Sequence, residues 1–223
     1  MSEIAKYIEH TLLTPYATEK DISRLCDEAV QHKFVAVCVP PYWVSYAAKR
    51  LASAPQIEVC TTIGFPLGFN APGIKALEAK AAVEQGATEI DMVINLCALK
   101  EGNLEAVSSE IKEVLSAASG RIVKVIIETG HLTKEEIVLA SKLVLSSGAH
   151  FVKTCTGYTP VGATVENIRL IRETVGDQLR IKASSKIRDY QTAAALVKAG
   201  ADRLGVVQSL KILQEEQAYL TRQ

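Results

Sequence analysis

Residues 84–95, EQGATEIDMVIN, have the composition of a helix end, a short polar link and the start of an apolar strand. The same pattern returns at 146–157, SSGAHFVKTCTG, and at 198–209, KAGADRLGVVQS. Glycine at a helix end adopts the left-handed conformation without a Cβ penalty, so each copy predicts a helix followed by a strand. The intervals between the three copies leave room for a further strand and helix in each.

Filling these intervals predicts eight strands, most of them short, β-branched and apolar on both faces, as in a covered parallel sheet. Helices are predicted between them, one with Asn103 as its N-cap and another with Thr133 and Glu136 as a capping box. This alternation predicts a single (β/α)₈ TIM barrel over residues 1–223, with a doubly wound open sheet as the alternative. The predicted strands are 7–13, 34–39, 58–64, 89–95, 123–129, 151–157, 180–185 and 203–208.

The overall composition narrows the classes of partner. The chain is 48% hydrophobic with zero net charge, so nucleic acid is not an expected partner. The first residues contain no apolar run, and no stretch approaches the ~18 apolar residues of a membrane span, so neither secretion nor a membrane is expected. Five widely spaced cysteines without a CxxC motif predict free thiols in a cytoplasmic protein.

Four charged residues lie inside predicted strands: Asp91, Lys124, Lys153 and Lys182. A single lysine of this kind is most simply explained by a strand-end position with its ammonium group in water. Three lysines on successive strands of a barrel are harder to explain in that way, because their ammonium groups approach one another. Like charges and partial desolvation favour a neutral amine, which forms Schiff bases with carbonyl compounds. Asp91 is placed to hold one ammonium group or to pass protons through a water molecule.

Other chemistries fit the sequence less well. The four histidines show no HExxH or other ligand spacing, so a metal site is not expected. No GxSxG, Walker or early GxGxxG motif occurs. Cys38 ends the second strand, at the rim of the expected site, where a small buried apolar role is favoured over a nucleophilic one. A thiol there could still react with an enal product.

Eight segments in the same order along nearly the whole chain resemble deoxyribose-phosphate aldolase, a family of class I aldolases with a (β/α)₈ barrel. The resemblance implies that Lys153 forms the Schiff base, that Lys182 tunes its pKa and that Asp91 belongs to the proton relay. It also implies that Glu9, Thr11, Lys124 and Thr156 line the substrate pocket. The segments are IEHTLL, FVAVCV, IGFPLG, EIDMVIN, VKVIIETG, FVKTCTGY, IKAS and AGADRLG.

The implied reaction is the reversible cleavage of 2-deoxyribose 5-phosphate to acetaldehyde and glyceraldehyde 3-phosphate. The partners are therefore small aldehydes and sugar phosphates, and no metal or organic cofactor is needed. The family commonly forms homodimers, but no interface can be read in the sequence, which leaves the oligomeric state open.

The sequence departs from the family pattern where phosphate is expected to bind, after the seventh and eighth strands. Ser185 and Lys186 replace two glycines, and Val207 and Gln208 stand where two serines are expected, although Gly205 is kept. Each lost hydroxyl donor removes ~1.5–3 kcal/mol of hydrogen bonding to a charged acceptor. Lys186 either compensates with its charge or points to solvent, and the sequence leaves both readings open. A divergent or engineered aldolase acting on unphosphorylated or non-native aldehydes is thus the alternative function.

Two further classes remain on the same barrel. A sugar-phosphate isomerase or epimerase relies on carboxylate or histidine bases and needs no Schiff-base lysine. A non-catalytic binding barrel has no need for a costly cluster of lysines around Asp91.

Overall fold

The computed structural model describes residues 3–221, and its central feature is a closed barrel of eight parallel strands. Each strand pairs with the next along the chain, and the first pairs with the last, so the sheet has no edge. This closure confirms the (β/α)₈ prediction and excludes the doubly wound sheet. The strands are β1 (Ile8–Thr11), β2 (Ala36–Val39), β3 (Glu58–Ile63), β4 (Glu89–Val93), β5 (Ile122–Ile126), β6 (Phe151–Lys153), β7 (Arg180–Ser184) and β8 (Arg203–Val206).

Helices cover the outside of the barrel. Short 3₁₀ turns precede β1, α2, α6 and β7, at Ala5–Tyr7, Pro41–Trp43, Thr129–His131 and Gly176–Gln178. Within residues 3–221 the α-helices are α1 (Glu19–His32), α2 (Val44–Arg50), α3 (Ile74–Glu84), α4 (Leu96–Lys100), α5 (Leu104–Ala117), α6 (Lys134–Ser146), α7 (Val165–Val175), α8 (Tyr190–Lys198) and α9 (Ser209–Leu220).

The helix caps predicted from the sequence are present in the structure. The Asn103 side chain accepts a hydrogen bond from the backbone N–H of Ala106, at 3.1 Å, and caps α5. Thr133 and Glu136 form the capping box of α6 in both directions. These caps satisfy backbone donors that a helix start otherwise leaves unpaired.

The predicted strands run too far at their carboxyl ends. β6 was expected over 151–157 but its ladder ends at Lys153, and β5 was expected over 123–129 but ends at Ile126. Ile127 and Cys155 lie beyond these ends and are still fully buried. Burial therefore continues into the loops, and apolar composition alone does not mark where strand pairing stops.

Side chains alternate between the two faces of the barrel wall, as they must in a strand. Ile90 and Met92 of β4 face outward into the apolar core beneath the helices. Glu89 and Asp91 of the same strand face inward and are fully buried. The interior of the barrel is therefore where the buried charges meet.

The chain ends of the expected single domain, residues 1, 2, 222 and 223, lie outside the described residues. Among residues 3–221, no helix has both the length and the apolar character that crossing a bilayer requires.

Candidate active site

Within residues 3–221, seven carboxylate, ammonium or guanidinium side chains from six strands lie in the barrel interior. Six of them belong to residues that are at most 3% exposed, and the side chain of the seventh, at the barrel floor, is 15% exposed. Such groups are tolerated in an interior only when they are paired. The seven are Glu9, Glu89, Asp91, Lys124, Lys153, Lys182 and Arg203.

Asp91 lies at the centre of this cluster. Its Oδ2 accepts hydrogen bonds from Lys153 Nζ and Lys182 Nζ, each at 2.7 Å, and its Oδ1 accepts one from Lys124 Nζ at 2.9 Å. Strand register explains the convergence, because Asp91 pairs with Lys124 across β4 and β5, and Lys153 pairs with Lys182 across β6 and β7. The structure thus brings together all four charged residues that the sequence singled out.

Glu9 forms a second, deeper bridge between the lysines. Its carboxylate binds Lys182 Nζ and lies 3.4 Å from Lys124 Nζ and 3.6 Å from a guanidinium nitrogen of Arg203. Glu9 is fully buried. Both lysines contact Glu9 Oε2, whereas Glu9 Oε1 has no hydrogen-bond partner among the described residues, so a contact of Glu9 with substrate hydroxyls stays a prediction.

Two members of the cluster, Glu89 and Arg203, were missed in the sequence. Glu89 Oε2 lies 2.6 Å from Lys124 Nζ, and Glu89 Oε1 lies 3.4 Å from Arg203 Nη2. A signal was present, because Glu89 precedes Asp91 by two residues and so shares its inward face. Arg203 likewise precedes Gly205 by two residues on β8, so it also lies on the inward face.

The charges in the cluster set the pKa directions. Burial raises the pKa of Asp91, but the ammonium groups of Lys124, Lys153 and Lys182 outweigh it and hold the pKa well below its usual range. Burial lowers the pKa of Lys182, but Asp91 and Glu9 outweigh it and raise the pKa above its usual range. The expectation that neighbouring lysines would hold each other neutral is wrong for Lys182 and Lys124, because carboxylates lie between them.

Lys153 differs from its two neighbours in its contacts. Within the described chain, the one carboxylate at ion-pair distance from it is Asp91, whereas Lys124 contacts three carboxylates and Lys182 contacts two. Lys153 is also the last residue of β6, at the carboxyl end of the barrel where such enzymes bind substrate. It is therefore the lysine best placed to meet a carbonyl compound.

Cys38 does not lie at the rim. It is fully buried in the wall, paired in register with Cys60 of β3, and a hydrogen bond from Cys60 lowers its thiol pKa despite burial. Cys38, Cys60 and Asp91 each place a donor atom within 4.8 Å of the others, a spacing that metal ions use. The lysine ammonium groups on the same carboxylate oppose a cation there.

The two threonines of the predicted pocket bond within the protein. Thr11 ends β1 and donates to the carbonyl oxygen of Glu9 at 3.0 Å. Thr156 follows β6 and donates to the carboxylate of Glu128, which also accepts from the Thr156 backbone N–H at 3.0 Å. Glu128 is buried with a left-handed φ of 53°, and no sequence signal marked it. It fixes the loop that follows Lys153.

The β7 loop keeps a glycine-like backbone without glycine. Ser185 and Lys186 have φ of 78° and 60°, a region that costs other residues roughly 1–2 kcal/mol each. The exposed Lys186 side chain donates to the carbonyl oxygen of Pro160 in the β6 loop. Its ammonium group is thus held by the β6 loop, and a role in binding phosphate stays a prediction.

The β8 loop offers few donors to a phosphate. Val207 is 64% exposed, and Gln208 is the exposed N-cap residue of α9 with no side-chain capping bond. Gly205 lies beside the cluster, where an added Cβ would stand 3.2 Å from Lys182 Cε. The retained glycine therefore makes room for Lys182.

A closed parallel barrel whose interior carries three lysines around one aspartate defines a Schiff-base aldolase. Comparison with known proteins agrees: a model described as DeoC/LacD family aldolase matches residues 4–215. The chain belongs to this DeoC/LacD family of aldolases, which confirms the resemblance read from the sequence.

Individual relatives match over nearly their whole length. The deoxyribose-phosphate aldolase of Exiguobacterium sp. is 51% identical over 211 residues, 95% of this chain and 96% of that protein. The solved aldolase QR15 has a TM-score of 0.91 and 39% identity, and the match covers 100% of this chain and 98% of the other. The tetrameric deoxyribose phosphate aldolase of Aeropyrum pernix has a TM-score of 0.89 and 32% identity, covering 97% and 92%.

Proposed function

We propose that this chain is a class I aldolase that reversibly cleaves 2-deoxyribose 5-phosphate to acetaldehyde and glyceraldehyde 3-phosphate. The observation that carries the proposal is the contact of Lys153, Lys182 and Lys124 with one buried carboxylate, that of Asp91. The names of the full-length relatives support the same substrate.

The first step is addition of the Lys153 amine to the aldehyde carbon of the open-chain sugar. Loss of water from the adduct leaves an iminium ion, a better electron sink than the aldehyde. Asp91 relays the proton that Lys153 must release to a water molecule, and it is placed to do so because its Oδ2 binds Lys153 Nζ at 2.7 Å.

The second step breaks the bond between the second and third sugar carbons. The third-carbon hydroxyl loses its proton, its oxygen becomes the carbonyl of glyceraldehyde 3-phosphate, and the bonding electrons form an enamine on Lys153. Protonation of the enamine and hydrolysis of the resulting iminium release acetaldehyde and the free amine. Asp91, Lys182 and a water molecule move these protons.

Lys182 and Lys124 act on the charge of the site. Before substrate binds, both are ammonium groups, because buried carboxylates raise their pKa. Their positive potential keeps Asp91 ionised.

Borohydride trapping tests the proposal. The protein is incubated with 2-deoxyribose 5-phosphate and borohydride, and the adduct is located by peptide mass spectrometry. We expect one reduced adduct on Lys153 and none in the variant Lys153→Leu. An unmodified protein that still consumes the sugar phosphate would instead identify an isomerase or epimerase.

A second function is favoured by one observation, the loss of phosphate-binding groups after β7 and β8. In that case the same Schiff base serves unphosphorylated aldehydes. Retro-aldol rates on 2-deoxyribose 5-phosphate and on 2-deoxyribose, measured side by side as acetaldehyde release, separate the two. A preference of several orders of magnitude for the phosphate ester would rule the second function out.

We also propose that residues 1–223 form one domain and that it assembles with copies of itself. Small aldehydes and sugar phosphates are its other partners. A homodimer is one candidate assembly, and the Aeropyrum pernix relative is described as tetrameric. Analytical ultracentrifugation distinguishes monomer, dimer and tetramer.

A further inference from the structure

A cleft of about 810 Å³ crosses the mouth of the barrel, and its lining includes no residue of the β7 or β8 loop. The loops after β1, β2 and β3 supply most of its walls, and the loop after β6 supplies one aromatic ring. The walls are mainly proline, phenylalanine and leucine. We name this the β3 cleft and define it by Leu13, Pro15, Pro40, Pro41, Thr62, residues 64–70, Glu78 and Tyr158.

One residue of the β3 cleft lies beside the lysine cluster. Its floor includes Thr62, which is 2% exposed and pairs in register with Asp91 on the neighbouring strand. Tyr158 closes the far wall, since its hydroxyl donates to the carbonyl oxygen of Leu13 at 3.1 Å and its ring packs edge-on against Phe65, with centroids 5.4 Å apart. The cleft therefore begins one strand away from Asp91, the carboxylate that binds Lys153.

The charge of the β3 cleft disfavours phosphate. The one carboxylate among its lining residues is that of Glu78, which accepts a hydrogen bond from the Gly64 N–H at 2.6 Å. None of the lining residues is a lysine, an arginine or a histidine. The nearby Lys75 turns its ammonium group away, to the carbonyl oxygen of Val93 and to Glu110, each at 2.8 Å. A phosphate dianion here would meet a like charge with no cation to balance it.

The apolar surface of the β3 cleft is instead open to a ligand. Leu67 and Phe69 are 56% and 63% exposed, which is unusual for side chains of this size beside a buried site. An alkyl or aryl group that covers them leaves water, and each buried methylene contributes roughly a fourfold gain in affinity.

We propose that the β3 cleft binds the apolar substituent of an unphosphorylated acceptor aldehyde in the direction of aldol addition. The proposal rests on the Schiff base proposed above. Acetaldehyde and Lys153 form the enamine with loss of water, and the enamine carbon then bonds to the carbonyl carbon of the acceptor. The acceptor oxygen takes a proton, and water hydrolyses the iminium to a 3-hydroxyaldehyde and the free lysine.

The experiment measures kcat/KM for addition of acetaldehyde to propanal, butanal, pentanal and hexanal, with glyceraldehyde 3-phosphate as reference. We expect kcat/KM to rise two- to fourfold with each methylene. In the variant Leu67→Ser, the increase in log kcat/KM per methylene should be less than half of the increase in the parent protein. The matched control is Leu77→Ser, because Leu77 is similarly exposed on α3 and does not line the β3 cleft.

Three outcomes overturn the inference. A rate that is flat with chain length, or a rise that Leu67→Ser leaves unchanged, rejects the β3 cleft as the binding site of the substituent. If borohydride also fails to trap acetaldehyde on Lys153, the Schiff-base function itself is rejected. If trapping succeeds and the chain-length effect is absent, the aldolase stands and the β3 cleft alone is rejected.

Discussion

The barrel interior and the rim formed by the β7 and β8 loops differ in how tightly their residues are constrained. Inside, Asp91 contacts three lysines, so replacing any one of these groups leaves the others buried and unbalanced. At the rim, Val207 is 64% exposed, and the exposed Lys186 side chain makes a single hydrogen bond among the described residues, to the carbonyl oxygen of Pro160. The chemistry of a barrel enzyme is thus fixed in its interior, while the recognition of the substrate is free to change at the rim.

The largest expected effect comes from removing the nucleophile. Lys153→Leu should lower retro-aldol kcat by a factor on the order of 10⁴ or more, because no other group forms the iminium. Acetaldehyde release measures it. The control is Lys142→Leu on the outer surface of α6, which should retain full activity. Substantial activity in Lys153→Leu would place the Schiff base on a different lysine. It would also contradict the view that the interior residues fix the chemistry.

The next effect is on stability. Asp91→Asn leaves Lys124, Lys153 and Lys182 with one carboxylate fewer in a sealed interior, and should lower the free energy of unfolding by about 3–5 kcal/mol. Urea denaturation measures the loss. Asp27→Asn is the control, because Asp27 forms an exposed ion pair with Arg50 and such pairs contribute little. Equal effects of the two substitutions would show that the interior is wetter than the structure indicates.

The pH dependence of stability should also come from the interior. The pKa values of Asp91 and Glu9 are lowered in the folded protein, so both stabilise it above their unfolded pKa of about 4. This stabilisation is lost as pH falls below about 4 through the folded values. Lys124 and Lys182 have raised pKa values, so their contribution is complete below about pH 10 and is lost only as pH rises through the folded values.

Urea unfolding between pH 3 and pH 8 checks this dependence. The variant Glu9→Gln should lose less stability than the parent between pH 5 and pH 3, whatever its absolute stability. An identical loss in both proteins would trace acid sensitivity to groups outside the cluster.

The smallest effect concerns the rim. The double variant Ser185→Gly, Lys186→Gly should raise stability by about 1–2 kcal/mol in total, because the relief at two positive φ angles is partly offset by the greater entropy of glycine in the unfolded chain. If the backbone there still forms a phosphate cradle, kcat/KM for the phosphate ester should rise relative to 2-deoxyribose. Ser119→Gly is the matched control, since Ser119 has φ of 50° in a turn after α5 and should affect stability only. If the ratio of kcat/KM for the phosphate ester to that for 2-deoxyribose is unchanged, the conformation of this loop does not determine phosphate binding.

Much of the interior could be predicted from sequence. A charged side chain inside an apolar strand lowers the stability of the fold, so several of them on successive strands indicate a function. This argument identified Asp91, Lys124, Lys153 and Lys182. The fold followed from the repeated helix end and strand start. Both signals are local, so a single sequence is enough to show them.

The site residues that the sequence did not predict depend on the three-dimensional arrangement of the strands and loops. Glu89 pairs with Arg203 across the barrel floor, and neither residue reveals its partner along the chain. Cys38 was expected at the rim because its strand was predicted correctly but its depth in the wall was not. Glu128 was missed because its role depends on a left-handed backbone that its neighbours do not signal.

The seven interior charges are divided by sign between the two halves of the chain. Glu9, Glu89 and Asp91 come from β1 and β4, whereas every cation comes from β5, β6, β7 or β8. A half-barrel on its own would thus enclose charges of one sign, and two identical halves would repel each other. Coexpressed as separate fragments, unlike halves should recognise each other and restore activity, while like halves should not close into a barrel.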